Sequence, residues 1–219
     1  MEIAAAQNDA DLDAIEYLED QVFRKEMRVR LPQFQPNGSP MLRLLARLKP
    51  NDDVAGTLTI VETTDNHYLH QRCHLPALPG QRIARYTRLA VLPHHRGRGL
   101  AIRLMLEAHK HWVVPNGIDE TWLLLDNRRA PHSLIGSVLG FSCGDAPIRS
   151  EYGMCRLMSR NERSQDAIAA THRGWAFIGR YEQEPAISRG CLVPAAASTS
   201  NFGSPACPDR TGECNSCDR

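Results

Sequence analysis

The chain has 219 residues, 42% of them hydrophobic, and 26 Lys and Arg against 25 Asp and Glu, for a formal net charge of +1. That length allows one domain with a sizeable core plus a tail, and the even balance of charge argues against a general nucleic-acid surface, which needs a basic excess. No apolar run approaches the ~20 residues of a membrane span, and the acidic start Met1–Ala6 is too brief for a secretory signal, so a cytoplasmic protein is expected.

Asn8 or Asp9 caps a first helix, with Asp11 and Asp13 in its first turn. Leu12, Ile15, Leu18 or Glu19, Val22 and Met27 give this helix an imperfect apolar face to about Arg28. Pro32, Pro36, Asn37-Gly38-Ser39 and Pro40 make Leu31–Pro40 a loop. Met41–Leu48 and Val54–Val61 read as strands around the turn Lys49–Asp53. His67, His70, Cys73 and His74 share the next polar loop. Their side chains suit zinc, but no second ligand pair closes the site, and no metal is expected.

Ile83–Leu92 has the apolar and β-branched content of a buried strand, which Pro93 stops because it lacks the N–H that a ladder needs. Arg96-Gly97-Arg98-Gly99 comes next, and then Leu100, Leu104, Ala108 and Trp112 recur on one face of a helix. A glycine-rich loop feeding a helix N-terminus turns its N–H groups toward an anion. A phosphate or pyrophosphate cradle is expected here, with Arg96 and Arg98 adding charge.

Val113–Gly117 ends the helix, and Glu120–Asp126 is a buried strand that should lie parallel to Ile83–Val91 across the helical crossover. Ala130–Leu139 reads as a helix, Phe141 starts a core strand, Arg149–Arg160 reads as one strand, and Ser164–Ile178 as a helix interrupted at Gly174. After Pro185 the composition turns to Ala, Ser, Gly and Pro, and disorder is expected. Of the seven cysteines, Cys73, Cys143 and Cys155 have no framework spacing and suit reduced thiols. Cys207, Cys214 and Cys217 close the chain with Cys191 far upstream, which leaves no fourth ligand to place and favours a flexible tail. The expected organisation is a domain over 1–160, a helical extension over 161–184 and a tail over 185–219.

Arg96-Gly97-Arg98-Gly99-Leu100-Ala101 also resembles the Q/R-x-x-G-x-G/A acyl-CoA-binding motif of the GCN5-related N-acetyltransferase (GNAT) superfamily, in its strand-to-helix context. Gly56-Thr57-Leu58 and Gly140-Phe141 are similar to two further family phrases, so the likeness covers about Asp9 to Met158. It implies an α/β (α+β) fold: a mixed, mostly antiparallel sheet with a V-shaped splay between two parallel strands, flanked by helices. It also implies that the amides of Arg96, Gly97, Arg98, Gly99, Leu100 and Ala101 bind the cofactor pyrophosphate, that Leu89, Ala90 and Val91 pair with the pantetheine arm, and that Asn127 touches pantetheine or acceptor. Leu31–Pro40 would cover the acceptor. Many relatives carry a catalytic tyrosine where this chain has Gly136, which leaves Ser137, His132 or Tyr152 as the acid. The central strand holds Arg85, Tyr86, Thr87 and Arg88 where relatives have a glutamate, so Glu62, Glu26 or an ordered water would serve as base.

Asp20–Met27 and Thr87-Arg88-Leu89-Ala90-Val91 look like phrases of the autoinducer-synthase and N-acyl amino acid synthase members, although Arg85 replaces their usual glutamate. The implied function is transfer of an acetyl or other acyl group from acyl-CoA to an amine of a small molecule or protein, by direct attack in a ternary complex. The alternative donor is an acyl carrier protein loaded with a long chain. A reading from another class is a non-catalytic acyl-CoA-binding regulatory protein. Acyl-CoA and the amine are the expected partners, with no nucleic acid and no membrane span; a homodimer remains open.

Overall fold

The computed structural model describes residues 1–31, 38–63, 80–126, 132–150 and 153–183. Among them seven strands form one sheet: β1 (Glu2–Ala5), β2 (Met41–Leu48), β3 (Asp53–Thr63), β4 (Ile83–Val91), β5 (Glu120–Asp126), β6 (Ser142–Ser150) and β7 (Gly153–Asn161). Their order is β1-β2-β3-β4-β5-β7-β6, and every neighbouring pair is antiparallel except β4 with β5. Four α-helices flank it: α1 (Asp9–Glu19), α2 (Leu100–Ala108), α3 (His132–Leu139) and α4 (Gln165–Gln183). This is the fold that the resemblance implies. None of these helices is long and apolar enough to cross a membrane.

Local chemistry accounts for the helix starts. The Asn8 side chain accepts the Asp11 N–H at 2.9 Å and so caps α1. The Ser164 hydroxyl likewise accepts the Ala167 N–H at 3.1 Å, below α4. Helix α1 buries Ile15 and Leu18 and then widens into a π-helical turn over Asp20–Glu26, with the Met27 N–H donating to Val22 O at 3.0 Å. Arg28, at a φ of 57, ends it. Helix α2 buries Leu100, Leu104 and Ala108, and Trp112 packs against the core from the π-helical turn beyond, as the four-residue spacing predicts.

Two faces of the sheet are packed differently. On one, Leu44, Leu58, Ile60, Tyr86 and Leu123 meet Leu104 and Leu106 of α2 and Leu139 of α3. On the other, Leu18, Val22 and Phe23 of the first helix lie on Ala90. Burial of this kind stabilises by roughly 25 cal/mol per Å² of apolar surface.

The first residues form an edge strand, β1, whose Ile3 and Ala5 pack on the core; four residues are too few to show a pattern in the sequence. Two expectations are corrected. Arg149–Arg160 is not one strand: Arg149 and Ser150 end β6, β7 starts at Gly153, and Ser150 faces Gly153 in the hairpin register. Gly174 does not interrupt its helix. A Cβ there would meet Leu106 at 3.0 Å and Leu139 at 3.1 Å, so this glycine lets α4 lie close on α2 and α3. Arg160 fastens the same helix. Its guanidinium donates to Leu139 O at 2.9 Å, Ala167 O at 2.9 Å and Thr171 Oγ1 at 2.7 Å, and pairs with Glu162 at 3.1 Å.

Cys143 and Cys155 are free thiols. The His67–His74 cluster, Cys73 and the tail cysteines lie outside the described residues.

Candidate functional site

Strands β4 and β5 pair only from Ile83↔Glu120 to Tyr86↔Leu123 and then separate. An irregularity in β4 accompanies the separation. Thr59 faces Thr87 while Thr57 faces Ala90, so Arg88 and Leu89 together oppose Leu58 as a β-bulge. The extra residue reverses the facing of the strand beyond it. Ala84 and Tyr86 before it, and Leu89 and Val91 after it, all reach the core beneath α2, whereas Ala90 turns to α1. Arg88 adopts a left-handed backbone, φ 53. Its guanidinium donates to Glu19 of α1 at 2.6 Å, and Glu19 also takes Arg43 at 3.3 Å. All three side chains are buried or nearly so.

A cavity of about 460 Å³ fills the gap between the parted strands. At its mouth stands the Gly97–Gly99 loop, with Gly97 at φ 73 and Gly99 at φ 72 as N-cap of α2. A Cβ on Gly97 would meet nothing within 4 Å, so the space before the loop is open. The first N–H groups of α2 have no intrahelical partner.

The two loop arginines divide the work. Arg96 donates from Nε to Val91 O at 2.8 Å and grips Glu26 with both Nη atoms at 2.7 and 2.6 Å. It straps the loop to the end of the first helix and is already neutralised. Arg98 is exposed, with no ion pair among the described residues, and it supplies the loop's available charge. Beside it, burial, His94 and Arg98 hold the His95 imidazole below its ordinary pKa.

Leu89, Val91, Arg96, Gly97, Gly99, Leu100 and Ala101 all stand on the cavity wall, as does Glu26. Ala90 and Arg98 flank it. Ser137 is exposed on α3 and donates to Leu134 O at 3.2 Å, away from the wall. Glu62 lies off the wall as well; its two oxygens take Arg82 at 2.8 and 2.7 Å. Asn127, Tyr152 and most of the Leu31–Pro40 loop fall outside the described residues, as does the His132 side chain. Asp126, Tyr86 and Phe177 also line the cavity, and none of them was singled out from sequence. Asp126 could have been suspected as the last residue of its strand. Phe177 comes from α4, and no local pattern signals its arrival. Burial raises the Tyr86 phenol far above its ordinary pKa, so it stays protonated.

The acetyltransferase (GNAT) family model matches residues 10–141, more than half of the chain. The chain belongs to the GNAT family. This GNAT protein is therefore an acyltransferase, of a family that generally uses acyl-CoA. No curated protein matches it in sequence. Solved structures share its fold. FeeM, an N-acyl amino acid synthase from uncultured soil microbes, is similar at a TM-score of 0.61 and 11% identity, over 78% of this chain and 97% of its own. BjaI, a CoA-dependent acyl-homoserine lactone synthase, is similar at 0.59 and 17% identity, over 79% and 89%. An acyl-CoA N-acyltransferase from Pseudomonas aeruginosa is similar at 0.52 and 16% identity, over 73% and 98%.

Proposed function

We propose that this GNAT protein transfers an acyl group from acyl-CoA to an amine by direct attack within a ternary complex. The observation that carries this is the parted β4–β5 pair with a left-handed glycine loop at its mouth. The loop amides, the α2 N-terminus and Arg98 would hold the pyrophosphate. The free edge of β4 near Leu89 to Val91 would offer backbone groups to the pantetheine arm, and one of its N–H groups would polarise the thioester carbonyl. The amine nitrogen bonds to the carbonyl carbon, the C–S bond breaks, and CoA leaves as thiolate. Holding both partners in the gap supplies much of the rate through effective molarity.

Among the described residues two carboxylates border the gap, Glu26 and Asp126. Glu26 pairs with Arg96, and Asp126 stands at the end of β5, where the two strands have parted; Asp126 is assigned to take the proton from the amine. The deciding assay is free-thiol release from acetyl-CoA and longer acyl-CoAs with a panel of amines, amino acids among them. Turnover with no amine in the panel would count against the transfer. A donor carried on acyl carrier protein is the second possibility, favoured by the internal neutralisation of Arg96; acyl carrier protein outcompeting acyl-CoA in the same assay would establish it.

Gly97→Glu places a carboxylate in the cradle at a backbone angle that costs a residue with a side chain about 1–2 kcal/mol. CoA affinity should fall by about a hundredfold or more, because like charges then meet at short range. Unchanged affinity by calorimetry would remove the cradle assignment.

His95 gives a pH signature. Its folded pKa is lowered, so its contribution to stability is present above the unfolded value of 6.5 and is lost as pH falls through the folded one. Pyrophosphate beside it raises that pKa again, so donor binding should take up a proton and weaken as pH rises through this window. Calorimetry in buffers of different ionisation enthalpy reads the uptake, and His95→Gln should reduce it. Equal uptake by both proteins would show that only the ligand titrates.

A further inference from the structure

The gap between β4 and β5 opens to both faces of the sheet, and its two sides differ in chemistry. Toward α1 it meets Thr87, Arg88, Glu26 and Asp126 among the apolar Val22, Phe23 and Met27, so that side carries the charged groups. Toward α2 it meets Leu89, Leu125, Ile102, Met105, Ile135 and Phe177. The facing comes from the bulge, which keeps Leu89 on the same side as Tyr86, and from β5, where Leu123 and Leu125 share the core with α2 while Trp122 and Leu124 belong to the opposite cluster.

The apolar side exceeds what a two-carbon acyl group requires. The amides and phosphates of a donor find partners at the loop and along the β4 edge, not among these hydrocarbon walls. Water there would make few hydrogen bonds, and apolar cavities of this kind fill with apolar matter. Tyr86 also borders the cavity, and burial keeps its phenol protonated. Phe177 lies on α4, beyond the 10–141 segment that the family model matches, so the last helix adds a wall to the shared domain. That wall is fixed by the Arg160 hydrogen bonds and by the close seat of Gly174 on Leu106 and Leu139.

We propose that the transferred acyl group is a straight alkanoyl chain longer than acetyl, whose tail enters the apolar side between α2, α3 and α4 while the amine arrives from the α1 face. This rests on the acyl-CoA donor proposed above. The tail and the acceptor then occupy opposite faces of one sheet, and the thioester lies in the gap that joins them.

Calorimetry of the full chain with CoA and with acetyl-, butanoyl-, hexanoyl-, octanoyl-, decanoyl- and hexadecanoyl-CoA tests it. Affinity should rise about fourfold for each methylene taken from water and level off once the apolar side is full. Phe177→Ala should move the levelling-off to longer chains, and Leu134→Phe, a half-buried position on the same wall, should move it to shorter ones. For each variant the series is read relative to CoA measured on that same variant. If CoA and all its esters bind equally well, the tail assignment is wrong while the donor stands. If CoA itself does not bind, the donor is wrong. A rising series that neither variant shifts would overturn the wall assigned to α3 and α4.

Discussion

Glu19→Ala should lower the unfolding free energy by about 3–5 kcal/mol, the usual effect of removing one partner from a buried ion cluster. Glu19 is 5% exposed, and its oxygens take Arg88 at 2.6 Å and Arg43 at 3.3 Å. Both guanidiniums lose their shared counter-ion while staying largely out of water. The effect reaches the site as well. Arg88 sits at φ 53, a backbone state that costs of order 1–3 kcal/mol and persists only when its surroundings impose it. Without Glu19 the bulge can relax and the parted strands can close. Glu19→Gln keeps an oxygen for Arg88 and loses only charge, so it should fall between. Denaturant unfolding reads all three proteins, and a midpoint for Glu19→Ala equal to the parent's would show that the cluster adds nothing.

For Asp126→Asn the expected result is a fall in kcat of about 10²–10⁴-fold, the range for loss of a general base, with donor affinity unchanged. Asparagine preserves shape and some hydrogen bonding but cannot accept the proton. The variant should recover rate as pH rises, because the amine then arrives already neutral. That recovery separates proton removal from simple positioning. A variant with the parent's kcat would exclude Asp126 as the base and return attention to a water-mediated route.

Contiguous features were legible in the chain. The apolar run of β4, the stop at Pro93, the glycine loop and the four-residue spacing of α2 are local, and they agree with the structure almost residue for residue. The β5 boundaries agree for the same reason. Glu19 shows the limit. In an amphipathic helix a glutamate at that position reads as half solvent, and its burial depends on Arg43 and Arg88, which are 24 and 69 residues away. Arg96 likewise reads as an unpaired charge until Glu26, 70 residues distant, is seen to hold it. Gly174 reads as a break because its contacts belong to other helices. The bulge carries no signal at all, since its left-handed residue is an arginine rather than a glycine. The splay was implied by family resemblance, and no spacing in the strand could have located it.

That bulge holds one residue of β4 that its pairing with β3 does not need. A strand that lost one residue between Thr87 and Ala90 would still set Thr87 against Thr59 and Ala90 against Thr57, now with a single residue opposite Leu58. Ala90 would stay toward the first helix and Val91 toward the core beneath α2, because residues paired across two strands share a face. What would go is the extra bend and twist that a bulge gives its strand, at the point where β4 leaves β5. The single extra residue acts as a wedge of backbone that turns the strand aside without changing which side chains face which way.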